Sequence, residues 1–492
     1  MGKFIKSNWQ IILIVVVGLF LRVYKYDQLF GYNHDNDLAG WIVKDIVVDK
    51  HLRLIGQETS TQGIFIGGLF YYLQVPFYLL FKMDPVGVTL LGALLGVIYV
   101  TGIYLMVRRV FSKSVAIISA LVYCLSYVFI FNDREIVPTQ PVIFWSLAFF
   151  FAQAEIINGN VKRGLLISAV LFALIWHLNF ALLIPAPTLL LSLWFARKKF
   201  KVSYAFVAIV VFVILSTPLI YFEFKHSFVQ SRAFIASLTT DQKDIVKGYD
   251  KVVRVYRLVS KNYYSIFLPS LDFPKHEQIL LLVFGVFICL FVKLKKYRKL
   301  FAVMLFWFFL YFLFFSLYSK IVSEYYLSGA QSIPVLLFSL TIAGLIESKR
   351  WKLFALITLL LLIVVNSKRF FTVSINGSGY LERKAIVAEI KRDSEERGYN
   401  CVAISYITDP GYDLGYRYIF WMYKMHVNKP SSGSPVYTIV FPLNDTLFPA
   451  NRTFGALGLI YPDYSRYTKE AVRHSCSGEN SNLTDPMFGF TK

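Results

Sequence analysis

The chain has 492 residues, of which 56% are hydrophobic and only 16% charged, and its formal net charge is +21. Because soluble domains carry about 25% charged residues, this composition excludes an ordinary soluble protein, and the excess of apolar residues excludes an intrinsically disordered chain. Four cysteines are too few for a disulfide framework or a cysteine-rich metal protein. The composition predicts a membrane protein with several spans and a soluble appendage.

Eleven segments of the sequence are apolar enough to form membrane-spanning helices, which need about 20 predominantly apolar residues. They lie near residues 9–24, 86–107, 114–131, 138–157, 164–178, 180–195, 203–221, 279–292, 300–318, 331–346 and 352–366. We predict that each of these segments crosses the membrane.

A twelfth apolar stretch, residues 64–81, contains Gln74 and Pro76 and is ambiguous. Short loops rich in lysine and arginine belong on the cytoplasmic side of a membrane. If residues 64–81 lie in the membrane interface, all six short basic loops fall on one side, whereas a crossing would put the N-terminal lysines and Arg108 on opposite sides. We therefore predict a juxtamembrane helix at 64–81, a cytoplasmic N-terminus and an extracytoplasmic C-terminus.

This topology divides the chain into a transmembrane domain at residues 1–366 and an extracytoplasmic domain at residues 367–492. Two large outer loops of the transmembrane domain cover residues 25–85 and 222–278. The second loop carries nine Lys or Arg residues in spite of its predicted outer position. It approaches the length at which the charge rule weakens, and it could also serve anionic lipid.

The C-terminal domain has the pattern of a small α/β fold. Charged residues with helical periodicity predict a helix at 380–397, and a second helix is predicted over residues 414–425. Predicted strands lie at residues 400–406, 436–441 and 457–461. Cys401 and Cys476 both lie in this domain, where they could pair in an oxidising compartment or remain two buried free cysteines.

Residues that could carry chemistry concentrate in the predicted outer segments. The most distinctive group of polar residues is Tyr32-Asn33-His34-Asp35-Asn36-Asp37, directly after the first span. One interpretation is a solvated loop in which Asp35 or Asp37 caps a helix. Another is a metal site, since aspartate and histidine are hard or borderline ligands, although this spacing matches no recognised metal signature.

Asp133, Arg134 and Glu135 form a second polar cluster, in a predicted tight turn between two spans that ends at Pro138. Arginine offers planar, bidentate donors for a phosphate or a carboxylate. The alternative is an interfacial ion pair of Arg134 with Glu135 or Asp133, which contributes little on its own.

Two further outer turns carry polar residues. His177 and Asn179 end an apolar span, where a histidine is more often a hydrogen-bonding residue than a catalyst. Glu324, Tyr325 and Tyr326 open another turn. The aromatic belt of membrane proteins accounts for the tyrosines, so only Glu324 requires another explanation.

Together these features resemble the GT-C superfamily of polyprenyl-phosphate-sugar-dependent glycosyltransferases, particularly its protein O-mannosyltransferases and bacterial aminoarabinose–lipid A transferases. The resemblance rests on an Asp motif after the first span, on juxtamembrane helices and on outer turns that precede prolines. In this sequence these are His34-Asp35-Asn36-Asp37, residues 38–50 and 64–81, Asp133-Arg134-Glu135-x-x-Pro138, Trp176-His177 to Pro185, and Tyr325-Tyr326 ahead of Pro334. The resemblance covers about residues 9–366 diffusely, and no single motif is diagnostic.

The resemblance implies an α-helical, polytopic GT-C-like fold and an inverting sugar transfer at the extracytoplasmic face of the plasma (inner) membrane. The donor would be a polyprenyl-phosphate-linked sugar, and the acceptor a protein, a lipid or a glycan. Asp35 would be the general base. The superfamily commonly has Asp-Glu where this chain has Asp35-Asn36, so Asp37 could take the place of the missing Glu.

The same resemblance implies roles for the other outer residues. Cationic side chains would stabilise the phosphate of the donor, and we assign this role to Arg134, His177 and Arg232. Further residues expected at the substrate site are His34, Glu135, Asn179, Glu324, Tyr325 and Tyr326. No cofactor is implied with certainty, and a divalent metal could replace some of the positive charge, although its ligands stay unassigned.

Two other functions compete with this interpretation. A transporter or flippase of lipid-linked saccharides would place ionisable residues near the bilayer midplane, where the sequence has few. A polysaccharide polymerase or ligase of different fold would depend on residues 222–278 and leave Asp35 dispensable. Nucleic acid is not an expected partner, because predicted cytoplasmic loops account for much of the positive charge. Membrane lipids are expected partners.

Overall fold

The computed structural model describes residues 2–59, 61–239, 248–269, 278–318, 320–373, 377–443, 447–478, 480, 482–484 and 488–489. Its α-helices are α1 (Gly2–Val23), α2 (His34–Val47), α3 (Leu69–Leu80), α4 (Val88–Val110), α5 (Lys113–Leu125), α6 (Tyr127–Glu135), α7 (Val142–Ile157), α8 (Val161–Leu178), α9 (Pro187–Phe195), α10 (Val202–Lys225), α11 (Val229–Thr239), α12 (Tyr249–Tyr264), α13 (Gln278–Lys293), α14 (Arg298–Leu317), α15 (Ser332–Glu347), α16 (Lys352–Thr372), α17 (Tyr380–Glu396), α18 (Arg417–Met422) and α19 (Lys469–Ser475). The strands are β1 (Ile55–Glu58), β2 (Phe65–Gly67), β3 (Val402–Thr408), β4 (Val427–Asn428), β5 (Val436–Phe441), β6 (Arg452–Phe454) and β7 (Leu457–Ile460).

Residue contacts divide the chain into two compact units. The helical unit comprises Met1–Arg22, Ala93–Asp133 and Pro138–Thr372. The α/β unit comprises Val23–Gly92, Arg134–Val137 and Val373–Lys492, so that it combines the first long loop with the C-terminal segment.

The predicted apolar segments are helical in the structure. Among the described residues, five helical stretches are long and apolar enough to cross a membrane: Pro85–Val110, Val161–Leu178, Val202–Lys225, Lys295–Leu317 and Lys352–Thr372. Two bent helix pairs raise this number to seven if each pair is one span, and several shorter apolar helices accompany them. The predicted helical membrane fold is therefore present, while the count of eleven spans stays a prediction.

One predicted span, 114–131, is broken between α5 and α6, which are bent by 61°. The break frees the backbone N–H of Tyr127, which donates to Asn366 Oδ1 at 2.9 Å. Asn366 is buried in α16, and its Nδ2 donates to Phe267 O and Leu362 O, both at 2.9 Å. Non-helical backbone at membrane depth needs such partners, so Asn366 makes the bend tolerable.

The C-terminal part of the α/β unit forms a five-stranded sheet in the order β4-β3-β5-β7-β6. Strand β3 is parallel to β4 and β5, and the other pairs are antiparallel. The predicted helix 380–397 and the three predicted strands correspond to α17, β3, β5 and β7. Cys401 and Cys476 form a disulfide across 75 residues of sequence, which decides between the two alternatives for this pair.

The hydrophobic core of the α/β unit draws on both of its long segments. Its buried aromatic residues from the first loop and from the C-terminal segment are Phe30, Tyr32, Trp41, Phe70, Tyr71, Tyr78, Tyr380, Tyr416, Tyr418, Phe420 and Tyr437. The Tyr418 ring lies 5.9 Å from that of Tyr78 and 6.1 Å from that of Trp41, edge to face in both pairs. A side chain at Gly40 would overlap the Tyr418 ring, so α2 can approach α18 closely only with glycine there.

A fragment of residues 367–492 alone should therefore fail to give a cooperative thermal unfolding transition, because its core would expose the ring faces that Trp41 and Tyr78 cover. Circular dichroism melts under oxidising conditions measure this. The matched control is a fusion of residues 23–92 to 373–492 through a flexible linker, which should recover a cooperative transition. A cooperative transition in the isolated fragment would contradict the shared core.

Two local predictions were wrong. The start of the predicted helix 64–81 is strand β2, because Gly67-Gly68 interrupts helix and the strand pairs with β1. Residues 133–135 are not a turn but the last turn of α6. The outer position of residues 222–278 stays a prediction; within this segment the structure describes helices α11 and α12, and residues 240–247 and 270–277 lie outside the described part.

Candidate functional site

The Asp motif begins helix α2 of the α/β unit. Asn33 is the N-cap, and it forms a reciprocal pair with Asn36: Asn33 Oδ1 accepts from Asn36 N at 3.2 Å, and Asn36 Oδ1 accepts from Asn33 N at 3.1 Å. Such a capping box satisfies two helix N–H groups. His34 and Asp35 occupy the first turn of α2, where both are half-buried.

Asn36, which departs from the Glu that the resemblance implies at this position, makes a second contact. Its Nδ2 donates to the backbone carbonyl of Glu135 at 3.0 Å. An ionised Glu can accept the capping hydrogen bond but cannot donate one to a carbonyl. Asparagine at this position therefore closes the cap and also holds Glu135.

Asp35 and Glu135 consequently lie near each other in the α/β unit. The charge of Asp35 acts on the Glu135 carboxyl group, Glu135 is exposed, and Asp35 is half-buried. Gln57 Nε2 donates to Asp35 Oδ1 at 2.7 Å. The structure thus brings the two carboxyl groups into electrostatic interaction, and an amide donor fixes Asp35.

The backbone directly after Glu135 is strained. Ile136 has φ of +49° and is 1% exposed. A β-branched residue in the left-handed region is a conformational outlier, and such strain persists only where the surroundings impose it. The strained backbone at Ile136 ends α6 immediately after Glu135, which supports a functional role for the end of this helix.

Asp37 has a different environment from Asp35. It is 0% exposed, and its Oδ1 accepts from Tyr32 OH at 3.1 Å and from the backbone N–H of Tyr418 at 3.0 Å. These contacts join α2 to the start of α18. They support a structural role for Asp37, in place of the predicted substitution for the missing Glu.

Arg134 is also buried, and its guanidinium donates to the carbonyls of Tyr24 at 2.9 Å and Lys25 at 3.1 Å. Arg134 therefore holds the chain that follows α1. Its predicted contact with a donor phosphate stays a prediction.

Asp133 pairs with Arg22, and not with Arg134 or Glu135. Arg22 Nη2 lies 2.6 Å from Asp133 Oδ2, and both side chains are 0% exposed within the helical unit. Tyr123 OH donates to Asp133 Oδ1 at 2.8 Å. The sequence held no signal for this pair, because the partners are 111 residues apart.

The other predicted residues of the helical unit have identified environments. His177 is buried at the end of α8, and Asn179 caps a 3₁₀ turn by accepting from Ala181 N at 2.9 Å. Glu324 pairs with Lys261 at 2.7 Å. Arg232 on α11 and Tyr325 are exposed, and the ring of Tyr326 stacks on that of Phe315.

A possible cation site among the described residues is Asp45, Asp49 and His51, whose ligand atoms lie within 4.8 Å of one another. Asp45 already pairs with the buried Arg53 at 3.1 Å, and Asp49 pairs with Lys44 at 2.6 Å. These cations compensate the carboxylates, so this group does not support a metal centre.

Comparison with known proteins relates this architecture to membrane glycosyltransferases. Residues 68–222 match the family model described as dolichyl-phosphate-mannose-protein mannosyltransferase. The fold is similar to ArnT from Cupriavidus metallidurans in the apo state, with a TM-score of 0.58 and 12% identity, covering 94% of this chain and 99% of that chain. The same protein bound to undecaprenyl phosphate has a TM-score of 0.57 and 11% identity at the same coverage.

The apo oligosaccharyltransferase of Archaeoglobus fulgidus is also similar, with a TM-score of 0.51 and 12% identity, covering 88% of this chain and 70% of that chain. The present protein spans 61% of the length of the same enzyme in its structure with Zn and sulfate. No curated protein sequence matches. The family model and the fold confirm the resemblance to the GT-C superfamily of membrane glycosyltransferases, and the chain is an integral membrane protein.

Proposed function

We propose that this protein transfers a sugar from a polyprenyl-phosphate donor to an acceptor, with inversion and with Asp35 as the general base. The observation that carries the proposal is the half-buried Asp35 carboxylate, whose Oδ1 accepts from Gln57 Nε2 at 2.7 Å. Glu135 interacts with it electrostatically, and Asn36 Nδ2 donates to the backbone carbonyl of Glu135. A general base has to reach substrate in its ionised form, and Asp35 is half-buried whereas Asp37 is enclosed.

The chemistry follows from the Asp35 carboxylate. The acceptor oxygen attacks the anomeric carbon of the donor sugar from the face opposite the phosphate, and its proton passes to Asp35. The bond between the anomeric carbon and the phosphate oxygen breaks, and its electrons leave with the lipid phosphate. Inversion is the stereochemical result of this single displacement.

Positive charge beside the leaving phosphate stabilises the negative charge that develops on it in the transition state. Such electrostatic stabilisation is the largest contribution to the rate enhancement of many enzymes. We assign this role to Arg134, with His177 and Arg232 as further candidates.

The site would face the extracytoplasmic side. The Cys401–Cys476 disulfide in the α/β unit supports this, because disulfides persist in oxidising compartments. ArnT from Cupriavidus metallidurans binds undecaprenyl phosphate, and the dolichyl-phosphate-mannose family model matches residues 68–222. Both support a lipid phosphate as the donor, with a protein, lipid or glycan as the acceptor.

The test is a transfer assay with the purified protein in detergent. Undecaprenyl-phosphate and dolichyl-phosphate sugars, labelled in a hexose or a pentose, are incubated with peptide, lipid and glycan acceptor pools. We expect the label to leave the lipid phosphate and to appear on one acceptor class. In liposomes, a flippase would instead move the intact labelled lipid across the bilayer, and such movement without label transfer would contradict the proposal.

A further inference from the structure

We infer that Tyr71 and Gln57 form a positioning relay behind Asp35, which orients the base for sugar transfer. This inference rests on the proposed function and goes beyond it, because neither residue belongs to a motif of the sequence. Gln57 lies on β1, and Tyr71 is in the first turn of α3.

The relay has two hydrogen bonds in series. Tyr71 OH donates to Gln57 Oε1 at 3.0 Å, and Gln57 Nε2 donates to Asp35 Oδ1 at 2.7 Å. Gln57 is 7% exposed and Tyr71 is 0% exposed. The chain of contacts therefore runs from a buried hydroxyl to the accessible carboxylate.

The direction of the relay is determined by its ends. A carboxylate only accepts, so the Gln57 amide nitrogen must face Asp35, and its oxygen must then face Tyr71. Burial raises the pKa of Tyr71, so its hydroxyl keeps the proton that it donates. Tyr71 therefore prevents the amide from turning its oxygen toward Asp35, which would repel the charge.

The packing around Tyr71 shows that its position is closely defined. Gly56 lies against the Tyr71 ring, and a side chain at Gly56 would overlap that ring. The backbone N–H of Gln57 also faces Tyr71 OH at 3.4 Å. A glycine beside the relay glutamine thus lets the strand approach the ring closely enough for both contacts.

The consequence for Asp35 is that its two oxygens differ. Oδ1 is engaged by Gln57, and among the described residues no other group hydrogen-bonds to this carboxylate. Oδ2 is therefore the atom available to take the acceptor proton. A base held in one rotamer reaches the substrate in a productive geometry more often than a freely rotating one.

Two substitutions test the relay in the transfer assay. Tyr71→Phe removes one oxygen atom, and Gln57→Leu removes the donor to Asp35. We expect kcat to fall about 10-fold for Tyr71→Phe and about 10- to 100-fold for Gln57→Leu, by analogy with other supporting hydrogen bonds, while KM for the undecaprenyl-phosphate sugar stays within about 2-fold.

Tyr72→Phe is the matched control, since it removes a neighbouring hydroxyl on the same helix that donates to Arg53 O at 3.0 Å. It should leave both kcat and KM unchanged. If Tyr71→Phe and Gln57→Leu behave like Tyr72→Phe while Asp35→Asn is inactive, the relay is overturned and the proposed function stands. If Asp35→Asn is as active as the wild type, both are overturned. If Gln57→Leu fails to fold, the isosteric Tyr71→Phe decides the question.

Discussion

Asp35→Asn should abolish detectable sugar transfer while leaving the protein folded. General acid–base groups contribute about 10²- to 10⁴-fold to rates, and an asparagine cannot take the acceptor proton. The substitution is isosteric, and its Oδ1 can still accept from Gln57 Nε2, the partner at 2.7 Å. The expected loss is therefore in kcat, measured as label transferred per enzyme, with an unchanged thermal unfolding temperature.

The matched control for this variant is Asp49→Asn, which removes an exposed carboxylate that pairs with Lys44 at 2.6 Å in the same α/β unit. Exposed pairs contribute about 0–1 kcal/mol, so this variant should retain both activity and stability. Near-normal transfer by Asp35→Asn would remove Asp35 from the role of base. Glu135→Gln, measured alongside, reports whether the second carboxylate shares in the reaction.

Arg22→Leu should destabilise the protein strongly, because it leaves Asp133 charged and buried without its partner. Both side chains of this ion pair are 0% exposed, and breaking a buried pair costs about 3–5 kcal/mol. Arg22 Nη1 also donates to Gly18 O at 3.1 Å, a bond that is lost as well. The measurement is the thermal stability of the detergent-solubilised variant, followed by size-exclusion chromatography after heating.

The double variant Arg22→Leu/Asp133→Leu separates the charge effect from packing. Since apolar replacement of both partners is often neutral, it should be clearly more stable than Arg22→Leu alone. Gly96→Ala gives independent evidence, because a side chain at Gly96 would overlap Arg22. Equal stability of the single and double variants would show that the pair contributes no electrostatic stabilisation.

The elements of the fold were largely predictable, because a membrane span is defined by length and apolar composition, which are local properties. The segment 203–221 illustrates this, since it corresponds to helix α10. The break between α5 and α6 was not predictable, because it depends on Asn366 accepting from Tyr127 over 239 residues of sequence. Interactions between distant residues are not encoded in a local pattern.

The residues of the candidate site likewise divide into those that local sequence indicated and those that only the folded structure reveals. Asp35 and Glu135 could be proposed from outer polar clusters, and the structure places them together. Gln57 and Tyr71 could not, because their relevance arises only when β1 and α3 fold beside α2. Asn36 was read as a departure from a motif, whereas its amide completes the cap and holds Glu135.

The composition of the α/β unit from residues 23–92 and 373–492 has a consequence for biosynthesis. At the usual rates of about 5–20 residues per second, the ribosome makes the later segment roughly 15–60 seconds after the earlier one. During that interval Trp41 and Tyr78 have no partner rings from the later segment to cover them. The nascent chain therefore exposes apolar surface until the later segment has been made.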